Sequence, residues 1–260
     1  MSIKKYIPSS FKLLIKLCLL NIKNTLSRKS AQIISIKGTK KDLTVQHTIT
    51  QKIMQNEYFD NKIANLNIAI EKINYLVIPT QKIFSFNKVV GNPSIKNGYK
   101  ESRSIKDGKV VPEVGGGLCQ LPWIMYHLCL QTNIKIIERH HHSKDIYDNN
   151  TRFAPLGSDA TIVYGYKDFQ ILNNTAHDIC FFFSINHDLL SCSICTNQKL
   201  NKHDVVFTTK LSDNNQAVSY THLSDKFWNL YLQKHESFVG FKISVEIISA
   251  LFSCCFRNKI

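Results

Sequence analysis

Residues 115–137 read GGGLCQLPWIMYHLCLQTNIKII, and three kinds of local structure follow one another within them. Gly115, Gly116 and Gly117 are three of only ten glycines in the chain. Their freedom at positive φ permits a tight loop and lets a ligand approach the backbone closely. Behind them Leu121, Ile124, Met125, Leu128 and Cys129 recur at helical spacing, which predicts a helix over about residues 120–131. Pro122 suits its first turn, where a missing N–H costs nothing. Residues 134–137 (Ile-Lys-Ile-Ile) then read as a strand. Cys119 therefore stands at a helix start, directly behind a glycine loop.

Upstream, Ile63, Leu66, Ile70, Ile73 and Val77 keep steps of three and four, a helix with one buried stripe that stops before Pro79. Residues 82–90 read as extended, and Gly91-Asn92-Pro93 and Lys106-Asp107-Gly108 are turn signals. Downstream, residues 160–164, 169–172 and 179–185 are β-branched and aromatic runs of strand length, joined by residues 165–168 and 173–175 as hairpin connections. Helices first and antiparallel strands later make the fold class α+β, with the glycine-rich loop leading into the helix that carries Cys119. Three units are expected: a basic helical segment over 1–45, an α+β domain over 46–200 and a C-terminal extension over 201–260.

A chain of 260 residues, 43% hydrophobic and 20% charged, can hold a packed core, and six prolines with ten glycines exclude a collagen-like or low-complexity protein. The net charge of +14 comes mainly from one end. Lys4, Lys5, Lys12, Lys16, Lys23, Arg28, Lys29, Lys37, Lys40 and Lys41 all precede the first acidic residue, Asp42. Only five of the 33 basic residues are arginine, the side chain that phosphate and base-edge readers favour, so no nucleic-acid partner is expected.

The apolar run from Phe11 to Leu20 is interrupted by Lys12 and Lys16, too polar for a span and without a small-residue cleavage site. On a helix Lys5, Lys12, Lys16 and Lys23 gather on one side and Leu13, Leu17 and Leu20 on another. Such a helix either lies on an anionic membrane surface, leucines inward, or packs on the domain with its lysines in water. The apolar residues 243–256, with Cys254 and Cys255, read as a terminal strand or helix. The expected location is cytoplasmic, peripheral to the inner membrane face, with the eight cysteines as thiols.

The unpaired N–H groups and positive dipole end of a helix stabilise a thiolate, and the same amides can receive the oxyanion of an attacked carbonyl. Cys119, Trp123, Tyr126 and Leu130 share one helical face, which predicts a thiol looking into a partly aromatic recess. The alternative is a small buried cysteine beside a loop that needs glycine for geometry alone. Glu138-Arg139-His140-His141-His142-Ser143 follows the strand at 134–137. If extended, it points His140 and His142 to one face, from which an imidazole can take the thiol proton while Asp159 or Asp168 orients the ring. A rival use of the same atoms is a zinc site of Cys119 with His140 and His142, and Cys192 and Cys195 offer half of a four-cysteine site with no second pair.

Taken together, Phe84-Ser85-Phe86-Asn87-Lys88-Val89-Val90-Gly91, Gly98-Tyr99-Lys100-Glu101, Pro112, residues 115–120, Glu138-Arg139 with His142-Ser143, Gly157 with Ala160-Thr161, and Asp168 with Asn173-Asn174-Thr175 resemble the VanW family in identity and order. The resemblance covers about residues 66–185 and matches the compact type with a basic N-terminal segment. It implies a link to glycopeptide resistance and to peptidoglycan or its precursors. Pro122 and Trp123 depart from the small hydroxyl residues usual after the cysteine–glutamine pair, and within the family pattern Asp168 ranks at least level with Asp159.

The resulting expectation is a Cys119 nucleophile acting on a peptide or peptidoglycan precursor by acyl transfer or amide hydrolysis, with no cofactor. His142 or His140 is the base and Asp159 or Asp168 its orienter. Gly115, Gly116, Gly117, Gln120, Trp123, Tyr126, Ser143 and Arg139 contact substrate, and Arg139 with Arg103 holds a substrate carboxylate. The alternatives are a non-catalytic module that binds a cell-wall precursor or a partner protein, and the zinc site.

Overall fold

The computed structural model describes residues 9–26, 33, 43–106, 109–142, 157–211 and 217–224. In chain order these form α1 (Ser9–Leu26), β1 (Val45–Lys52), α2 (Phe59–Ile73), β2 (Ile83–Ser85), α3 (Phe86–Val90), β3 (Glu101–Lys106), β4 (Lys109–Val114), α4 (Gln120–Gln131), β5 (Lys135–Glu138), β6 (Gln170–Leu172), β7 (Cys180–Asn186), β8 (Leu189–Cys195), β9 (Asp204–Leu211) and β10 (Ala217–Ser224). The class is α+β. The strands pair antiparallel into two three-stranded sheets, β1-β8-β7 and β2-β6-β5, and two hairpins, β3-β4 and β9-β10.

α4 has the bounds that its spacing predicts but not the single buried stripe. Every residue from Gln120 to Leu130 is buried. The helix packs against β1, β8, β5 and β9, so no face is left for solvent. Trp123 and Tyr126, at 5% and 0% exposure, are core residues, which corrects the expected aromatic recess. α2 does carry a stripe, with Leu66, Ala69, Ile70 and Ile73 buried. It ends at Ile73, short of Val77, and packs over β3, α3 and β7.

Residues 82–90 are extended only to Ser85. Ser85 caps α3, its hydroxyl oxygen accepting from the Lys88 amide, and Phe86 and Val90, one turn apart, are both buried. Residues 160–164 form bridges rather than a strand. Thr161 pairs with His140, and Val163 and Lys167 close a tight turn in which Gly165 takes φ of 78°. Cys192 and Cys195 are both buried on β8, three residues apart and so on opposite faces of a strand, which excludes a joint metal clamp. Residues 225–260, with the expected terminal element at 243–256, lie outside the described residues, as does Ser143.

α1 divides its surface three ways. A side chain on Gly165 would meet Leu13 at 2.6 Å and Leu17 at 3.4 Å, so these two leucines face the 163–167 turn, and Lys16 lies 5.8 Å from the Tyr166 ring centre. The stripe left outward is Phe11, Leu14, Ile15, Leu19 and Ile22, each exposed. The expected lipid-facing set of Leu13, Leu17 and Leu20 is corrected accordingly for its first two members. Among the described residues no helix is long and apolar enough to cross a membrane.

Candidate active site

The glycine loop is held from three directions. Gly115 and Gly117 take φ of 79° and 87°, the left-handed region that side chains resist. Asn65 of α2 donates to the carbonyls of Lys100 (2.9 Å) and Gly116 (3.1 Å) and accepts from the Lys100 amide (2.8 Å). Gly116 itself lies against the β3 backbone at Ser102 and Arg103. Gln120 donates to the Lys52 carbonyl at 2.9 Å, fixing the start of α4 to the end of β1. Cys119 is the residue before α4, half-buried, with its own carbonyl already in the helix ladder through the Trp123 amide at 3.1 Å. Among the described residues the amides of Gly117, Leu118 and Cys119 have no hydrogen-bond partner, whereas that of Gln120 donates to the Gly117 carbonyl.

His142 reaches this thiol. Asp159 Oδ2 accepts from both the His142 amide (2.9 Å) and ring Nδ1, which leaves Nε2 as the nitrogen facing Cys119. Thr161 Oγ1 lies 3.5 Å and the Ile162 carbonyl 3.9 Å from Sγ. The electrostatics follow from these contacts. Burial alone pushes the Cys119 thiol up, but the hydrogen bond and charge of His142, with Thr161 and Ile162, bring it below its ordinary value. Burial likewise opposes a charged His142, yet the hydrogen bonds and charges of Asp159 and Cys119 raise it to about 10. Asp159, despite burial, is held below the usual carboxylate range by His142 and Arg139. Thiol, imidazole and carboxylate thus stand in a row, each shifted toward its charged form by its neighbours.

Buried side chains hold Asp159 in place. Arg139 donates to the carbonyls of Gly157 (3.0 Å) and Asp159, with its guanidinium 4.6 Å from the Tyr126 ring centre. His127 Nε2 lies 2.9 Å from the Ser158 carbonyl and 3.2 Å from Trp123 Nε1. Burial lowers the His127 pKa to about 4, so it is neutral here. These contacts explain why Trp123, Tyr126 and Arg139 fit a supporting shell rather than a substrate surface. Arg139, expected as a carboxylate holder, is engaged by backbone carbonyls and an aromatic face.

The other expected residues lie elsewhere. His140 turns to Glu138 at 3.0 Å. Asp168 accepts from Ser85 Oγ (2.6 Å), Gln170 Nε2 (2.9 Å) and the amides of Asn87 (2.9 Å) and Phe169 (2.8 Å). It ties the α3 start to β6, and burial raises it above the usual carboxylate range. The geometry therefore gives the ring-orienting contact to Asp159 and a local structural one to Asp168. Cys119, His142 and Asp159 form a line with the imidazole in the middle, and among the described residues no three potential ligands surround a point that could hold a metal ion. Two neighbours escaped the sequence reading. Thr161 was read only as part of a strand-like run and of the family pattern, with no role at the thiol, and Lys62, whose charge acts on Cys119, is one ordinary lysine on α2.

No solved structure matches the chain. The chain is 31% identical over 118 residues to the vancomycin B-type resistance protein VanW of Enterococcus faecalis, covering 45% of this chain and 43% of that one. It is 32% identical over 133 residues to the uncharacterized protein YoaR of Bacillus subtilis, covering 49% and 42%. The chain thus spans under half the length of both relatives. The family model described as VanW like protein matches residues 61–195, just over half the chain, which includes most of α2, the glycine loop, Cys119, His142 and Asp159. The chain belongs to the VanW family.

Proposed function

We propose that this protein is a thiol-dependent amidase or acyltransferase acting on a peptide, with cell-wall stem peptides as the substrate class. The observation that carries the reading is the row of Cys119, His142 and Asp159 at the start of α4. The resistance named for the E. faecalis relative supports the cell-wall assignment.

The Cys119 thiolate attacks an amide carbonyl carbon, forming the S–C bond. The carbonyl oxygen becomes an oxyanion beside the unused amides of Leu118 and Cys119. As the C–N bond breaks, His142 Nε2 gives its proton to the departing amine, leaving a thioester and a neutral imidazole. That imidazole then takes a proton from water, or from an acceptor amine, as it attacks the thioester. Collapse expels the thiolate and regenerates the imidazolium, held throughout by Asp159.

Iodoacetamide labelling of the full chain, read at Cys119 by peptide mapping, tests this. An ordinary thiol loses its thiolate tenfold per pH unit below about 8.5. Cys119 is expected to keep more of its rate at pH 6 than a free thiol does, since His142 holds its pKa below the ordinary value. Turnover, by contrast, falls as pH rises through about 10, where His142 loses the proton meant for the leaving amine. A labelling rate at pH 6 no faster than that of a free thiol overturns the proposal.

The outward stripe of α1 supports peripheral contact with an anionic membrane surface, in this reading the inner leaflet of the cell. Phe11, Leu14, Ile15, Leu19 and Ile22 are exposed apolar groups beside Lys12 and Lys16, so acyl chains and anionic headgroups satisfy both sets at once. Co-sedimentation with vesicles one-third phosphatidylserine is expected, with much weaker binding to phosphatidylcholine alone. Leu19→Glu should weaken it at least about tenfold, the value of one leucine withdrawn from lipid. Leu13→Ala should matter far less, because Leu13 faces Gly165. Equal binding by the Leu19→Glu chain would remove α1 as the contact.

A further inference from the structure

Lys62 reaches from α2 across the glycine loop. A side chain on Gly117 would meet Lys62 Cγ at 2.7 Å, Cδ at 3.0 Å and Cε at 3.2 Å, so the lysine stem fills the space that glycine leaves open, two residues before Cys119. β3 brings the Arg103 backbone against Gly116, with its guanidinium close enough to act on the Lys62 charge and its Nε buried with no hydrogen-bond partner. Ion pairs among the described residues join Lys52 to Asp188, His140 to Glu138 and His142 to Asp159, and neither Lys62 nor Arg103 belongs to one. Burial lowers Lys62 to about 8, against the pull of Cys119 and with the push of Arg103. Cys119 and Asp159 supply two negative charges, which His142 and Arg139 already match. Lys62 and Arg103 are then a surplus of positive charge beside the thiol, one of them with an unmet donor.

We propose that Lys62 and Arg103 form a cradle for a carboxylate of the substrate, so that the protein acts on short peptides whose free C-terminal carboxylate lies close to the bond Cys119 attacks. The inference rests on the thiol chemistry proposed above. A guanidinium offers a planar fork to a carboxylate and an ammonium a point charge. Lys62 over Gly117, with Arg103 near enough to push on its charge, sets the carboxylate within a residue or two of the reacting carbonyl. The cradle also gives Gly117 a purpose beyond its φ of 87°, since a side chain there would displace the Lys62 stem.

Two alkylating agents of nearly equal size separate the cradle from the thiol. Iodoacetate carries a carboxylate and iodoacetamide a neutral amide. In both, the thiolate forms an S–CH2 bond and iodide leaves, so the ratio of their rates at Cys119 cancels the thiolate fraction. His142 favours the anion in every variant, so the difference between variants carries the result. The wild-type ratio at pH 7.5 is expected to fall about tenfold in the Lys62→Met, Arg103→Met double variant, roughly the Coulombic value of two partly screened charges. Lys62→Arg should keep it, and an unchanged thermal midpoint verifies that each variant folds. An unchanged ratio in the folded double variant overturns the cradle and leaves the thiol proposal standing. Slow iodoacetamide labelling at pH 6 in the wild type overturns the thiol proposal and the cradle with it.

Discussion

Replacing His142 with alanine is expected to slow iodoacetamide labelling of Cys119 at pH 6 by more than about tenfold, the effect of a rise of one pKa unit. The wild-type thiol owes its lowered pKa to the hydrogen bond and charge of His142, which outweigh burial. Without the imidazolium, burial acts almost alone and pushes the thiol back up. Each unit of that rise removes about nine-tenths of the thiolate present at pH 6. Thr161 and the Ile162 carbonyl remain, but neither carries a charge. Asp159→Asn should give a smaller loss of the same sign, because the ring keeps its place through the His142 amide and loses the anion that holds it protonated. His140→Ala, whose partner is Glu138, should change little. A His142→Ala protein that labels at pH 6 within about threefold of wild type would show that the thiolate does not depend on this imidazole, and the proposed mechanism would fail with it.

Gly116→Ala should be the most destabilising single change in the loop. Its Cβ would lie 2.2 Å from the Ser102 carbonyl oxygen, 2.5 Å from the carbonyl carbon and 2.9 Å from the Arg103 oxygen. These are backbone atoms of β3, paired to β4 and pinned through Asn65, so they cannot swing aside as a side-chain end would. The backbone of Gly116 is not in the left-handed region, so the whole cost is steric. Relief requires the loop and β3 to part by about 1 Å, at about 3 kcal/mol, an overpacking loss at the upper end of the usual range. In a chain of this size that lowers the thermal midpoint by roughly 10 °C. Gly98→Ala provides the contrast. Only the end of the Ile68 side chain comes within 4 Å of its Cβ, at 3.5 Å, and with φ of 83° and ψ of 0° the cost is the left-handed one of about 1 kcal/mol. Equal midpoints for the two variants, measured by thermal denaturation, would contradict the packing of the loop against β3.

The legible parts of the fold were those in which neighbours along the chain carry the information. The α4 bounds follow from apolar spacing and the placing of Pro122, and the α2 stripe from steps of three and four. β5, β6 and β7 follow from their β-branched and aromatic runs. β1 and β8 escaped the reading because their polar and small residues gain meaning only as partners of each other, with Thr48 Oγ1 2.7 Å from Ser193 Oγ across the pair. The expected recess beside Trp123 failed for a related reason: helical spacing gives faces, but which faces are covered depends on β1, β8 and β9, far from α4 in the chain. At the site, Cys119 and His142 were readable as a thiol and an imidazole on separate segments. The tie between Asp159 and Asp168 was not, since each is a lone carboxylate near a strand.

By itself the sequence determined the class of the fold, the loop-to-helix junction that carries Cys119, the family, and the two kinds of reactive side chain the site would use. All of these reside in local spacing and in residue type, which survive without knowledge of the third dimension. Tertiary structure alone decided that Asp159 rather than Asp168 meets His142, that Arg139 is spent on carbonyls, and that Lys62 leans over Gly117 toward the thiol. It also decided which stripe of α1 faces outward. The reason is common to all four: a pKa, a partner and an exposure each depend on atoms brought together through space, from α2, β3, α4 and the 157–167 segment, and no stretch of chain holds them in sequence.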